Sequence, residues 1–179
     1  KATEVAFEKV SRGVQVRLTA EQVFRFNGDN KRADLMLVEI NQLAGTRIWA
    51  YRNAPSLITL GRTALKLGGD PKLVLDNLYK EARKLDPDYV GVPLAIGGLA
   101  LSKNDFELAG RTFQVALKKH PENASLHYGA ALAFSTSDME IMLTHLSAAL
   151  QSNPNHAPSQ ILLVNSMINQ EAYAEAEEQ

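Results

Sequence analysis

The sequence predicts an all-α protein built of stacked antiparallel helix pairs, and three observations predict it. Three charged or polar helix tails run into a proline, KEARKLDPDY with Pro87, VALKKHPENA with Pro121 and SAALQSNPNH with Pro154, at spacings of 34 and 33 residues. A fixed period of this length marks a repeat whose units bury their apolar faces on one another. Between the prolines, apolar residues return every three or four positions, the period of a helix with one buried stripe. Small residues sit among them in the first half of each period, where a neighbouring helix can approach closely. With 45% hydrophobic and 22% charged residues the chain has material for a core, and 11 Gly and 7 Pro are too few for a low-complexity segment.

Residues 1–53 read as an N-terminal helical segment, a degenerate repeat over about 14–45 followed by a connector. Thr19-Ala-Glu-Gln22 has the form of a capping box, Gly28-Asp29-Asn30 of a turn, and Ala33, Leu37 and Ile40 of a second-helix stripe. Val14-Gln-Val-Arg-Leu18 alternates like a strand, but a lone strand has nothing to pair with in a helical array, so an extended connector is expected there. Residues 46–53, with Arg47, Trp49, Tyr51 and Arg52, join this part to the array as a connector or short helix.

The array spans 54–179 and divides at about 54–88, 90–123, 122–155 and 157–179. In its first unit Pro55 opens a helix through Leu57, Leu60, Gly61, Ala64 and Leu67, Gly68-Gly69 ends it, and Asp70-Pro71 caps the next, striped by Leu75, Leu78, Tyr79, Ala82 and Leu85. The second unit opens with Pro93-Leu-Ala-Ile-Gly-Gly-Leu-Ala-Leu101, poor for a lone helix and good for close packing. Ser102-Lys-Asn-Asp105 then turns the chain, Asn104 taking a left-handed backbone and Asp105 capping a helix striped by Phe106, Ala109, Phe113, Ala116 and Leu117. In the third, Leu126, Tyr128-Gly129, Leu132 and Ala133 make the first helix, and Ile141, Leu143, Leu146, Ala149 and Leu150 the second. The fourth carries Ile161, Leu162, Val164, Met167 and Ile168 after Pro158, and its second helix, from about residue 172, is cut off at Gln179, so the chain reads as a fragment.

Leu60-Gly61, Ile96-Gly97 and Tyr128-Gly129, each a large residue followed by a small one, together with Asn104-Asp105-Phe106 and the series Ala109, Phe113, Ala116 and Pro121, resemble the tetratricopeptide repeat family. The resemblance implies helix–turn–helix units of about 34 residues stacked into a right-handed superhelix, with first helices lining a concave face that binds protein segments. Residues 90–123 match best. The unit at 54–88 has a longer inter-helix turn, and Met142 stands where the family places a small residue, so the second helix of 122–155 is expected to pack less closely.

Composition and motifs argue against several kinds of chemistry. With 19 Lys+Arg against 20 Asp+Glu and no basic run longer than two, nothing points to nucleic acid or an anionic membrane. The absence of cysteine removes disulfides, thiolate metal sites and thiol nucleophiles, and leaves the compartment open. No apolar run approaches the length of a membrane span, and KATEVAFEKV lacks the order of a signal peptide. His120, His127, His145 and His156 have no metal-ligand spacing, so neither a metal nor another cofactor is expected. Asp138 and Glu140 fit a helix start better than an acid–base pair, and the glycine pairs lack the setting of a phosphate loop. No serine sits in a nucleophile elbow, the Glu171, Glu175, Glu177 and Glu178 run reads as a solvated face, and Trp49 as a buried junction.

What remains is surface. Helical phase places Ile58, Arg62 and Leu65; Leu94, Gly98 and Leu101; Leu126, His127, Ala130, Ala133 and Phe134; and Ile161, Asn165 and Ile168 along the concave face, with His127 able to donate to a ligand. The resemblance also implies a test for a carboxylate clamp; Arg62 and Asn165 alone are too few to build one. So apolar a trough is expected to be covered by a partner's peptide or amphipathic helix, by a second copy through the groove or the truncated repeat, or by residues 1–53; alternatively, curvature buries it and the array is a spacer. The expected function is a non-catalytic protein-interaction scaffold. The alternative is a docking or regulatory segment of a larger enzyme whose catalytic domain lies outside these 179 residues.

Overall fold

The structure, a computed structural model, describes residues 13–169, and the side chains of residues 47–49 and 169 fall outside that description. The expectations for the leading decapeptide, Trp49, the glutamates after 170 and a helix from 172 therefore lie outside the described residues. Nine helices make up the described chain: α1 Val14–Phe26, α2 Asn30–Arg47, α3 Ala54–Lys66, α4 (Pro71–Val74, Leu75–Tyr79 and Lys80–Leu85), α5 Gly91–Ser102, α6 Phe106–Leu117, α7 Ala124–Phe134, α8 Met139–Ser152 and α9 Ala157–Asn169. A 3-10 turn, Ile48–Tyr51, links α2 to α3. Among the described residues no helix is long and apolar enough to cross a membrane.

Short polar side chains start several of the helices and satisfy their free backbone N–H groups. Asn53 accepts from Ser56 N at 3.0 Å, Asp70 from Lys72 N at 2.7 Å, Asp105 from Leu108 N at 3.0 Å, Asn123 from Leu126 N at 3.0 Å and Asp138 from Ile141 N at 3.0 Å. Asn104 reverses the chain before α6 with φ 58°, the left-handed backbone that asparagine tolerates. The capping role of Asp138 accounts for the acid beside the α8 start without chemistry.

The described chain separates into two compact units, one up to Ala95 and one from Ile96, the division falling inside α5. In the first, α1 and α2 form an antiparallel pair against which α3 packs. Val14, Leu18, Leu37, Ile40, Tyr51 and Leu60 form its core. This corrects two expectations: residues 14–18 are helical, and Thr19 does not cap a helix. Val14 and Leu18 lie four residues apart, so they share a helical face, and burying both outweighs the local alternation. Thr19 lies inside α1 and its hydroxyl donates to Gln15 O at 3.1 Å.

In α4 the backbone widens into one π turn at Leu75–Tyr79. Eighteen residues separate Gly61 from Tyr79, where sixteen separate Gly97 from Phe113 in the next pair. One of the two extra residues lies in the α3–α4 turn and the other in the π turn, so the Tyr79 ring still lands on Gly61, where a Cβ would overlap it. Tyr79 is 1% exposed, and burial pushes its hydroxyl up to about 12. Leu85, expected in the α4 stripe, is 48% exposed because it closes the helix beyond the packed turns.

In the second unit Phe113 fills the space left by two glycines. A Cβ at Gly97 or at Gly129 would meet its ring, so both halves of the large-then-small pattern serve one aromatic side chain. Helix α7 packs on α6 and on α8, and α9 on α8. Met142 is buried with Ala131 and Leu146, and Tyr128, Phe134, Leu143, Leu162 and Leu163 pack around them. The looser packing expected of α8 is therefore absent: Ala131 on the facing helix gives up the volume that Met142 takes.

Candidate functional site

The predicted surface residues fall into two groups. On α3, Arg62 is exposed and Leu65 half-buried; on α5, Leu94 and Leu101 are half-buried and Gly98 is exposed. Nothing lies within 4 Å of where a Gly98 Cβ would stand. On α9, Ile161 and Ile168 are 62% and 44% exposed, with exposed Asn165 between them. Each of these groups shares one face of its own helix. Ile58, Leu126, Ala130 and Ala133, by contrast, are 3%, 0%, 0% and 3% exposed and offer a ligand no surface. The reason is packing: α3 is flanked by α1, α2 and α4, and α7 by α6 and α8, so more of their circumference is core than a single stripe implies.

Phe134 is half-buried in the core of the second unit, its ring stacked on His145 with centroids 6.2 Å apart and planes at 18°. His127 is half-buried, and its donor is already engaged: Nε2 lies 2.8 Å from Pro121 O, an acceptor only, so that nitrogen carries the hydrogen. Its Nδ1 lies 3.0 Å from Nδ1 of His145. In the neutral pair His127 Nδ1 therefore accepts and His145 Nδ1 donates. Burial, then the neighbouring His127, hold His145 below the usual histidine range. The expectation that His127 offers a donor to a ligand is corrected accordingly. His145 was visible in the sequence only through register: 127 and 145 lie nine residues either side of 136, inside the α7–α8 turn, and an antiparallel hairpin brings such positions together.

His156 is structural. Its Nδ1 lies 2.8 Å from the hydroxyl of buried Ser159 and its Nε2 3.4 Å from that of Ser125, while Tyr128 meets its ring edge-on.

Sequence reasoning missed a charged cluster in the first unit. Glu21, on α1, is fully buried; its Oε1 accepts from Arg25 Nε at 2.9 Å and from Lys66 Nζ at 3.1 Å. Lys66 Nζ lies equally near Oε2, which accepts no hydrogen bond. Arg25 also donates to Asp34 at 2.8 Å, and the group borders an open cavity of about 410 Å³ with Leu37, Val38 and Leu67. Nothing in the periodicity marks a buried glutamate, because it occupies a core position of α1 that its two cations make tolerable. Among the described residues no three His, Asp or Glu side chains stand together as a metal site.

No family model matches the chain, and no curated protein matches it. Solved structures do. YrrB, a TPR protein with an unusual peptide-binding site, superposes with a TM-score of 0.52 at 20% identity, over 88% of this chain and 77% of that one. MamA 41-end from Desulfovibrio magneticus RS-1 superposes with a TM-score of 0.58 at 17% identity, over 93% of this chain and 92% of that one. The MamA RS-1 ArsTM double mutant gives 0.57 at 17% identity, over 93% and 91%. At such identities the likeness speaks for the fold, and with the glycine–aromatic pairs above it establishes that this chain has the tetratricopeptide repeat fold.

Proposed function

We propose that this chain is a non-catalytic protein-interaction scaffold that takes up a peptide or amphipathic helix on faces presented by its first helices. The observation that carries the reading is the exposed triplet Ile161, Asn165 and Ile168 on α9, two exposed branched aliphatics with an amide between them on one helical face. Such a face recognises apolar residues at helical spacing and fixes orientation through the amide. Leu65, Leu94 and Leu101 extend the same chemistry on α3 and α5, with Arg62 as its charged member and bare Gly98 leaving room for a backbone. Ile58, Leu126 and Ala130 belong to the core and leave the surface proposed from sequence; His127 and Phe134 serve the α7–α8 contact.

The test is panning of a displayed random-peptide library against the full 179-residue chain, followed by substitutions on these faces. Enriched peptides are expected to lose binding about tenfold or more to Ile161→Glu with Ile168→Glu, or to Gly98→Trp, while the melting temperature stays within a few degrees. Gly98→Trp is the cleaner variant, since the side chain enters open space. Failure to enrich any peptide, or binding unaltered by every one of these variants, would remove these faces from the proposal.

A further inference from the structure

We propose that the cavity where α1, α2 and α3 meet takes the tryptophan side chain of a protein partner, its indole N–H donating to Glu21. The site is built around a buried charge with one hydrogen bond unmade. Glu21 is 0% exposed and lines this cavity of about 410 Å³. Its Oε1 accepts from Arg25 and Lys66, whereas Oε2 accepts no hydrogen bond. A carboxylate oxygen buried in this way is costly to leave without a donor. Lys66 Nζ stands 3.1 Å from Oε2 but donates to Oε1, so it can turn aside for a second donor without losing that bond. Its side chain is 40% exposed, which gives it room to turn.

Charge and shape select the donor. Glu21 and Asp34 already balance Arg25 and Lys66 in one network. A further cation would meet the two cations in place and an anion the two carboxylates, so the donor that fits is neutral. It must also ride on an apolar body, because Leu37 lies beneath the cavity and Val38 and Leu67, 46% and 49% exposed, wall it. Indole is the large apolar side chain that carries a donor and no acceptor, whereas a tyrosine hydroxyl or an amide brings an oxygen the site does not call for. Arg25 favours the same choice. Its Nε and Nη2 bind Glu21 and Asp34 edge-on at 2.9 and 2.8 Å, which leaves the flat face of the guanidinium to stack on an aromatic ring. The inference rests on the scaffold reading for the existence of a partner, and it is tested apart from that reading because a single capped amino acid reports on the cavity alone.

The experiment is methyl-resolved nuclear magnetic resonance of the full 179-residue chain titrated with N-acetyl-L-tryptophanamide. The largest shifts are expected at the methyl groups of Leu37, Val38 and Leu67. The analogue methylated on the indole nitrogen should bind about tenfold or more weakly, the loss of one hydrogen bond to a charged group. Both ligands meet the unsubstituted chain, so the comparison does not depend on any variant folding. Glu21→Gln, which keeps the size of the side chain, should narrow the difference between them. Ile161→Glu with Ile168→Glu should leave the shifts unchanged, which separates this site from the α9 face. Absence of shifts at these three residues, equal affinity of the two ligands, or stronger binding of n-butylammonium than of either would overturn the proposal.

Discussion

Gly97 and Gly98 are neighbours on α5 with opposite surroundings, and they show how finely side-chain volume is set here. A Cβ at Gly97 would overlap the Phe113 ring, whereas one at Gly98 meets nothing within 4 Å. Gly97→Ala is expected to cost about 1–3 kcal/mol through overpacking. Gly98→Ala should be stabilising by about 0.5–1 kcal/mol, since glycine is the poorer helix former and no packing opposes the change. Urea denaturation of the two variants measures both. The sequence already set Gly97 in the large-then-small pair and Gly98 on the open face; what it does not contain is that Phe113, reaching across from α6, is the side chain that Gly97 admits. His145 supplies the second residue-scale prediction. Its folded pKa lies below its ordinary 6.5. Between those values the unfolded chain binds more protons, so stability rises with pH there. The contribution is complete above about 6.5 and is lost as pH falls through the folded value. The melting temperature should hold at mildly alkaline pH and drop below about 6.5, and the drop should be shallower in His145→Gln.

At the scale of the element, α4 separates what a repeat period determines from what it leaves open. The inter-helix turn before α4 is one residue longer than the turn before α6, but the Gly61–Tyr79 interval is two longer than the Gly97–Phe113 interval, and the π turn takes up the remainder. Deleting exposed Asn77 should return that turn to ordinary α-helix with Tyr79 still facing Gly61, at a cost under about 1 kcal/mol. Deleting exposed Arg111 from α6, which has no residue to spare, rotates Phe113 by about 100° away from its glycines and should unfold that pair. Circular dichroism melts of the two deletions give the comparison. The same logic explains α1. Local alternation over residues 14–18 mimicked a strand, because Val14 and Leu18 fit either period and only the partner helix α2, with Leu37 and Ile40, decides between them. The turn at Gly28-Asp29-Asn30 and the α2 stripe were legible because glycine conformation and helical spacing are local signals; buried Glu21 depends on a tertiary partner, Lys66 on α3.

Across the whole molecule, each unit has its own buried centre, Val14, Leu18, Leu37, Ile40, Tyr51 and Leu60 in one and Ala131, Met142 and Leu146 in the other. Stacked repeats draw stability from their nearest neighbours, so a lesion in one centre is felt first by the helices that touch it. Leu146 is 0% exposed, lies on α8 and packs within the group that joins α7, α8 and α9. Leu146→Ala removes that filling and should cost about 2–5 kcal/mol. Its signature lies in distribution. Amide hydrogen exchange should accelerate most in α7, α8 and α9, less in α6, and least in α1 and α2, whose pairing uses none of these side chains. Uniform acceleration from α1 to α9 would instead make the described chain a single cooperative block, and a core of two centres would then not describe how it unfolds.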